Sequence, residues 1–380
     1  MRKIGATARV NAMTGETEMA MPGCSSLENT GDAVLDTIVH ACVHCRMKGD
    51  RQIHGAVLNI AKAHAYHPVD EWIRATPWDG GDRIGALCTT LKLRDPADEG
   101  WKCTIVEKWL IQAAVAIGNY KRRDPISVPY VLTLQGPERR GKSKWVKSLL
   151  PAPWVADGVT MRLDGFGERD AVRRATRQPI TELGELDASF KRSDHSGLKN
   201  FLSTTRDTYR DAYGRTETSR ARCTAFAATV NPQNFLIGQE GESRFWPLAV
   251  IGCNWEHAID LQQLWAQAMF LAERGNSFEL TDAEKAAHAE KVKNFAIESD
   301  VNIIISDLNY RRQVVPRVIQ PKPNWQHASA KDLLTHFMMQ VRLSTQTDLN
   351  SALEREGYQK TTIHGKSGFW VPPLATALPK

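Results

Sequence analysis

Residues 136–143 read Gly-Pro-Glu-Arg-Arg-Gly-Lys-Ser, after a short β-prone run at 128–134 and at the head of a helical stretch, 142–150. Glycine, four residues, then Gly-Lys-Ser, set between a strand and a helix, is a complete Walker A loop, or P-loop. Gly136 and Gly141 let the backbone wrap a phosphate closely, so that main-chain N–H groups point inward, and the start of the helix adds partial positive charge. The loop predicts a nucleotide cradle of Gly136, Pro137, Glu138, Arg139, Arg140, Gly141, Lys142, Ser143 and Lys144. Lys142 is expected to reach the β- and γ-phosphates of ATP, and the Ser143 hydroxyl to face Mg²⁺.

Such a loop belongs to α/β proteins, and from 126 to about 250 strands and helices alternate as a parallel sheet requires. Upstream, helical periodicity near 32–45, at 54–65 and at 104–118, joined by the Pro-, Gly- and Trp-rich connector 67–84, predicts a small helical domain over 1–125, with 1–30 disordered. The P-loop core is expected over 126–296, ending in amphipathic helix from 256 onward. A Pro- and Arg-containing linker or arm follows over 297–325. Over 326–380, helices followed by a two-stranded hairpin predict a winged helix, with 347–356 as its recognition helix and Lys366 on the wing.

Composition narrows the class. At 380 residues, 42% hydrophobic and 24% charged, the chain is an ordinary globular one with room for two or three domains. No stretch approaches the roughly 20 apolar residues of a membrane span, and the first twenty residues lack a signal-peptide pattern, so a cytoplasmic protein is expected. A net charge of +6 points only weakly to a polyanionic partner. Seven scattered cysteines fit reduced thiols; Cys42 and Cys45 form a CxxC, but with no second pair a packed helix is favoured over zinc.

A P-loop needs an acid at the end of a neighbouring strand, and RQPITELGELDA offers Glu182 and Glu185. The strand before Glu182 carries Pro179 and Thr181, so the pattern alone leaves it open to an ordinary solvated carboxylate. The small, apolar run 223–231 ends in Asn231, which reads equally as a polar contact to water or γ-phosphate and as a turn before Pro232.

Three longer strings, 182–188, 198–236 and GESRFWPLAV at 241–250, together with His67-Pro68-Val69 and Trp78-Asp79-Gly80 with Arg83, resemble the virulence-associated protein E family. The resemblance runs from about residue 66 to about 290. It implies an AAA+-like, superfamily-3-type helicase ATPase of a prophage or pathogenicity island, acting in the cytoplasm of a bacterial host. By that resemblance Glu182 is the main acid and metal ligand beside Ser143, Glu185 a second acid, and Asn231 the sensor. Arg244 is then an arginine finger for a neighbouring subunit, which implies a homo-oligomeric ring, a hexamer. The family's paired arginines before FWP are reduced here to one, with Ser243 in the first place.

Residues 191–222 carry eight basic groups against four acidic ones, with Tyr209 and Tyr213 interleaved. Cations hold phosphates without regard to sequence, and rings stack on the bases of a single strand. Lys199, Arg206, Arg210, Tyr213, Arg215, Arg220 and Arg222 are the expected single-stranded DNA contacts, against the alternative of a charged face paired with its own acids. Origin duplex and a separate primase are further expected partners. An ATP-dependent DNA-binding assembly factor without unwinding, and more remotely a small-molecule kinase, remain as other readings.

Overall fold

The computed structural model describes residues 5–20, 30–44, 50–152, 154, 159–160, 169–184, 192–210, 217–231, 236–237, 242–297, 304–305, 307–309, 325–337, 339, 343–363, 365–372 and 374. They fall into two compact units, one of residues 1–235 and 240–295, the other of residues 236–239 and 296–380.

The first unit opens on a hairpin where disorder is expected. β1 (Thr7–Val10) and β2 (Thr17–Ala20) pair antiparallel. Asn11 builds the turn, its Oδ1 accepting from the N–H groups of Met13 and Thr14, and Gly15 supplies a φ of 75°. Strands of four residues joined by side-chain turn chemistry carry almost no periodic signal, so the string looks structureless. α1 (Thr30–His44) and α2 (Asp50–Ala63) pack Ile38, Ile53, Val57 and Ala61 around Ala6 and Ala8. Cys42 is a free thiol and Cys45 lies outside the described residues; among the described residues no His, Cys, Asp and Glu cluster suits a metal ion.

Residues 68–118, expected in a separate helical domain, share the core of the sheet instead. They form α3 (Pro68–Arg74), α4 (Arg83–Cys88), β3 (Leu91–Leu93) and α5 (Glu99–Gly118). α5 buries Trp109, whose Nε1 donates to the main-chain carbonyl of Phe226 at 2.8 Å. The Trp78-Asp79-Gly80 turn is architecture too. Trp78 Nε1 donates to Gly81 O at 2.8 Å, Arg83 pairs with Asp79 at 2.6 Å, and Gln263 and Gln267 accept the N–H groups of Asp79, Arg83 and Ile84.

The chain continues through β4 (Val131–Gln135), α6 (Lys142–Lys147), β5 (Val159–Thr160), α7 (Arg169–Ala175), β6 (Ile180–Gly184) and α8 (Arg192–Ser203). A two-stranded ribbon, β7 (Arg206–Arg210) and β8 (Glu217–Ala221), leads to β9 (Ala225–Val230). After β10 (Leu236–Ile237), part of the second unit, come β11 (Phe245–Cys253), α9 (Leu261–Glu273) and α10 (Asp282–Val292). The sheet order is β3-β11-β4-β9-β6-β5; β3 is antiparallel to β11 and the other neighbours are parallel. This is a mixed α/β fold with a mostly parallel sheet. β4 is buried along its whole length, as a central parallel strand must be. α6 stops at Lys147, three residues short of the expected end, and Gly275 at φ 84° separates α9 from α10.

In the second unit β10 pairs in parallel with β12 (Ala296–Ile297). β13 (Gln326–Ala328), α11 (Ala330–His336), α12 (Leu343–Arg355), β14 (Lys360–Ile363) and β15 (Lys366–Val371) follow, the strands forming a sheet of order β13-β15-β14. Ser329 and Asp332 make a capping box for α11. Leu333, Leu349, Leu353 and Phe369 fill the core, joined by Ile304 and Leu308 from the stretch expected as a linker.

Candidate functional site

Parallel strands present their carboxyl ends along one edge, and polar side chains placed just beyond those ends converge. Here the edge is set by register: Gln135 of β4 lies opposite Val230 of β9 and Ala249 of β11. Gly136 continues β4, its N–H donating to Val230 O at 3.1 Å. A Cβ on Gly136 would stand 2.1 Å from Val250 O, so only glycine passes there. The loop turns through Arg139 at φ 61° and Gly141 at φ 81°. It is tied to the end of β11, where Cys253 N–H donates to Arg140 O at 2.9 Å, and a Cβ on Gly141 would meet Cys253 O and the Trp255 ring at 2.7 and 2.8 Å.

Lys142 is buried at 7% exposure, and its ammonium donates to Gly136 O at 2.6 Å, Pro137 O at 2.8 Å and Asn231 Oδ1 at 2.9 Å. Burial lowers its pKa, partly opposed by Cys253, Glu138 and Glu182. Asn231 also reaches Glu138 Oε1 at 3.4 Å, and its carbonyl accepts from Gln135 Nε2 at 3.1 Å. Glu182 is 2% exposed on β6, and its Oε1 accepts the Thr229 hydroxyl at 2.6 Å. Thr229 Oγ1 stands 3.3 Å from Ser143 Oγ. Lys142, Ser143, Glu182 and Asn231, up to 89 positions apart in sequence, thus meet at one sheet edge.

The chemistry of this edge follows from its atoms. The side-chain donors between Ser143 and Glu182 are all oxygen, the set a hard divalent cation such as Mg²⁺ takes. Beside them lies a buried ammonium bonded to uncharged acceptors, suited to a phosphate oxygen. Ser143 is exposed, and so is Lys144, whose ammonium sits 4.3 Å over the Trp255 ring.

Other expected residues lie elsewhere. Glu185, Tyr213 and Arg215 fall outside the described residues, as do the side-chain surroundings of Arg210. Arg244, the residue just before β11, donates from Nε to Ser203 Oγ at 3.1 Å. Phe245 is opposite Val131 and Ala249 opposite Gln135, so Arg244 stands at the far edge of the sheet, roughly 16 Å of strand from the loop. Lys199 is half-buried on α8 and Arg206 is exposed on β7. Arg220 donates to Thr14 O at 2.8 Å and lies against Gly15.

Arg222 corrects its expectation as a DNA contact. It is 2% exposed, its guanidinium forks onto Asp207 with Nε 2.9 Å from Oδ2, it bonds the Phe201 carbonyl, and it lies 4.2 Å over the Phe201 ring. It anchors the root of the ribbon instead of facing a ligand. Thr229 is the residue that sequence reasoning passed over. Its signal was its place two residues before Asn231, which puts both on one face of β9.

The fold and this edge define a mixed α/β protein whose parallel strands gather a lysine, a serine, a carboxylate and an asparagine around a glycine loop. Residues 73–297, more than half of the chain, match the virulence-associated protein E-like domain, and the chain belongs to that family. No curated protein matches. Among solved structures, the apo C-terminal region of NrS-1 (residues 305–718) is 11% identical with a TM-score of 0.47, covering 97% of this chain and 96% of that one. An A-form apo structure of the same region is 11% identical with a TM-score of 0.49, covering 98% of each. Among the described residues no helix is long and apolar enough to cross a membrane.

Proposed function

We propose that this chain is a Mg²⁺-dependent ATPase of the superfamily-3 helicase type, a replication protein of a prophage or pathogenicity island that moves single-stranded DNA through a homo-oligomeric ring. The observation that carries the reading is the meeting of Lys142 with Asn231, next to the Ser143–Thr229–Glu182 chain, at the mouth of a loop closed to any residue but glycine at 136. A triphosphate entering the loop takes over part of Lys142's hydrogen bonding, now spent on Gly136 O, Pro137 O and Asn231, and frees Asn231 to orient water. Ser143 and Glu182 would hold Mg²⁺, which when bound offsets charge on the phosphoryl oxygens. Glu182 also polarises the attacking water.

Arg244 stands too far from its own loop to serve it, and it serves the neighbouring subunit's site in this reading. In the second unit, two helices followed by a strand pair support a winged helix that holds duplex or a partner such as a primase. The test is hydrolysis with and without single-stranded DNA for wild type and Lys142→Ala; hydrolysis by neither, at any state of assembly, sinks the proposal. Mixing in Arg244→Ala subunits is expected to depress activity below the linear sum of the two pools. An assembly factor without unwinding is favoured by one observation, that Arg220 and Arg222 are engaged internally. It predicts nucleotide-dependent DNA binding with a forked substrate left intact.

A further inference from the structure

The hydroxyl of Thr229 lies between the two groups assigned to the metal side, and its protons can be counted. Glu182 is opposite Ala227 in the β6–β9 register, so Thr229, two residues on, is its diagonal neighbour on the same face. A threonine hydroxyl has one proton to give. It gives that proton to Glu182 Oε1 at 2.6 Å, because a carboxylate can only accept. Toward Ser143, 3.3 Å away, Thr229 can then only accept, so Ser143 is the donor of that hydrogen bond. The chain therefore runs Ser143 O–H to Thr229 O–H to Glu182. Two things follow: the lone pairs of Ser143 turn away from its proton, and Oε1 of Glu182 is engaged, while among the described residues nothing donates to Oε2.

We infer that Thr229 is a positioning residue for a divalent cation, aiming the Ser143 lone pairs and one defined oxygen of Glu182 at the same point. The inference rests on the nucleotide reading above and adds to it a residue that touches neither nucleotide nor metal. Valine at 229 keeps the shape but strips Glu182 of its donor and lets the Ser143 hydroxyl rotate.

The experiment measures Mn²⁺ binding by electron paramagnetic resonance in the presence of ADP, and ADP binding by calorimetry in EDTA. It uses wild type, Thr229→Val and Thr229→Ser. Loss of such an outer hydrogen bond costs about 10- to 100-fold in metal affinity, so Thr229→Val is expected to weaken Mn²⁺ at least tenfold. Thr229→Ser, which keeps the hydroxyl, is expected to recover wild-type Mn²⁺ affinity to within about threefold. ADP affinity in EDTA is expected to be the same in all three. Should Thr229→Val not fold, Thr229→Ala removes the same hydroxyl and takes its place. Wild-type Mn²⁺ affinity in the hydroxyl-free variant overturns the inference, as does equal loss of ADP affinity without metal; the nucleotide reading survives both. A wild-type protein that binds no ADP overturns the nucleotide reading, and the inference with it.

Discussion

Lys142 and Arg222 are both cations buried in the first unit, and they are held in opposite ways. Arg222 meets a carboxylate, Asp207, itself 5% exposed, and its charge is cancelled where it stands. Lys142 meets two main-chain carbonyls and an amide oxygen, all uncharged, and burial pulls its pKa down. A desolvated charge is costly, and proteins pair it or neutralise it unless something else is to arrive. The pair at Asp207 is complete as it is. The ammonium at the loop has hydrogen bonds but, among the described residues, no carboxylate in contact, which leaves it able to take an anion in the proposed reading.

The largest effect expected from this contrast is on stability. Arg222→Ala strands the buried Asp207 carboxylate and should cost about 3–5 kcal/mol in urea unfolding. The double variant Arg222→Met, Asp207→Leu removes both charges and should recover most of that loss. Next comes Lys142→Met. Nucleotide hydrolysis should fall by a factor on the order of 10²–10³, the size of losing one charged donor to a reacting oxyanion. Its melting temperature should stay level or rise, because a desolvated charge has gone and no carboxylate that it touches among the described residues is left behind. Equal destabilisation by Lys142→Met and Arg222→Ala would dissolve the distinction between the two cations.

The same contrast explains what the string of residues could reveal. The glycine loop at 136–143 was legible as a candidate because its signal is local: glycine spacing, a lysine and a hydroxyl in one octapeptide. Glu182 and Asn231 were legible as strand-end polar residues, though only resemblance set them above their neighbours. Arg222 was misread because counting basic groups over 191–222 ignores which carboxylate lies across the ribbon. The register puts Asp207 opposite Arg220, and two residues further on Arg222 folds back onto it. The hairpin at 7–20 escaped notice because its turn depends on one Asn side chain. Thr229 escaped because a threonine in a strand is ordinary until its diagonal neighbour is known to be a glutamate.

A third buried titratable group tests the rule that unpaired charge is avoided. His67 is fully buried, and neither ring nitrogen has a hydrogen-bond partner among the described residues. Burial pushes its pKa down to about 4, against a smaller opposing pull from Asp70. The folded state therefore keeps His67 neutral, while the unfolded chain takes up a proton below about 6.5. Stability from this group is fully present above pH 6.5 and is lost as pH falls toward 4. Between pH 7 and pH 4.5 the loss should be on the order of 2–3 kcal/mol in urea unfolding. His67→Leu should lack that part of the slope, while the contribution of Asp70, held low despite its burial by Lys121 and Arg74, remains in both proteins. An unchanged slope would mean that the imidazole is not held neutral.

The smallest effect lies within the loop itself, where two residues share a left-handed backbone for different reasons. Gly141, at φ 81°, has no room for a side chain against Cys253 O and the Trp255 ring. Arg139, at φ 61°, is exposed, and among the described residues it is the one non-glycine residue in that region of backbone space. An L-residue there carries a strain of roughly 1–2 kcal/mol, which glycine does not. Glycine also enlarges the freedom of the unfolded chain, which offsets about 0.4–1 kcal/mol of the relief. Arg139→Gly should therefore raise stability by between about 0 and 1.6 kcal/mol, read as a small increase in the thermal midpoint. If the strain serves to hold the loop in shape for a phosphate, the same variant should bind ADP more weakly even as it melts higher. Tighter binding together with higher stability would instead mean that Arg139 is tolerated in its backbone conformation without any use being made of it.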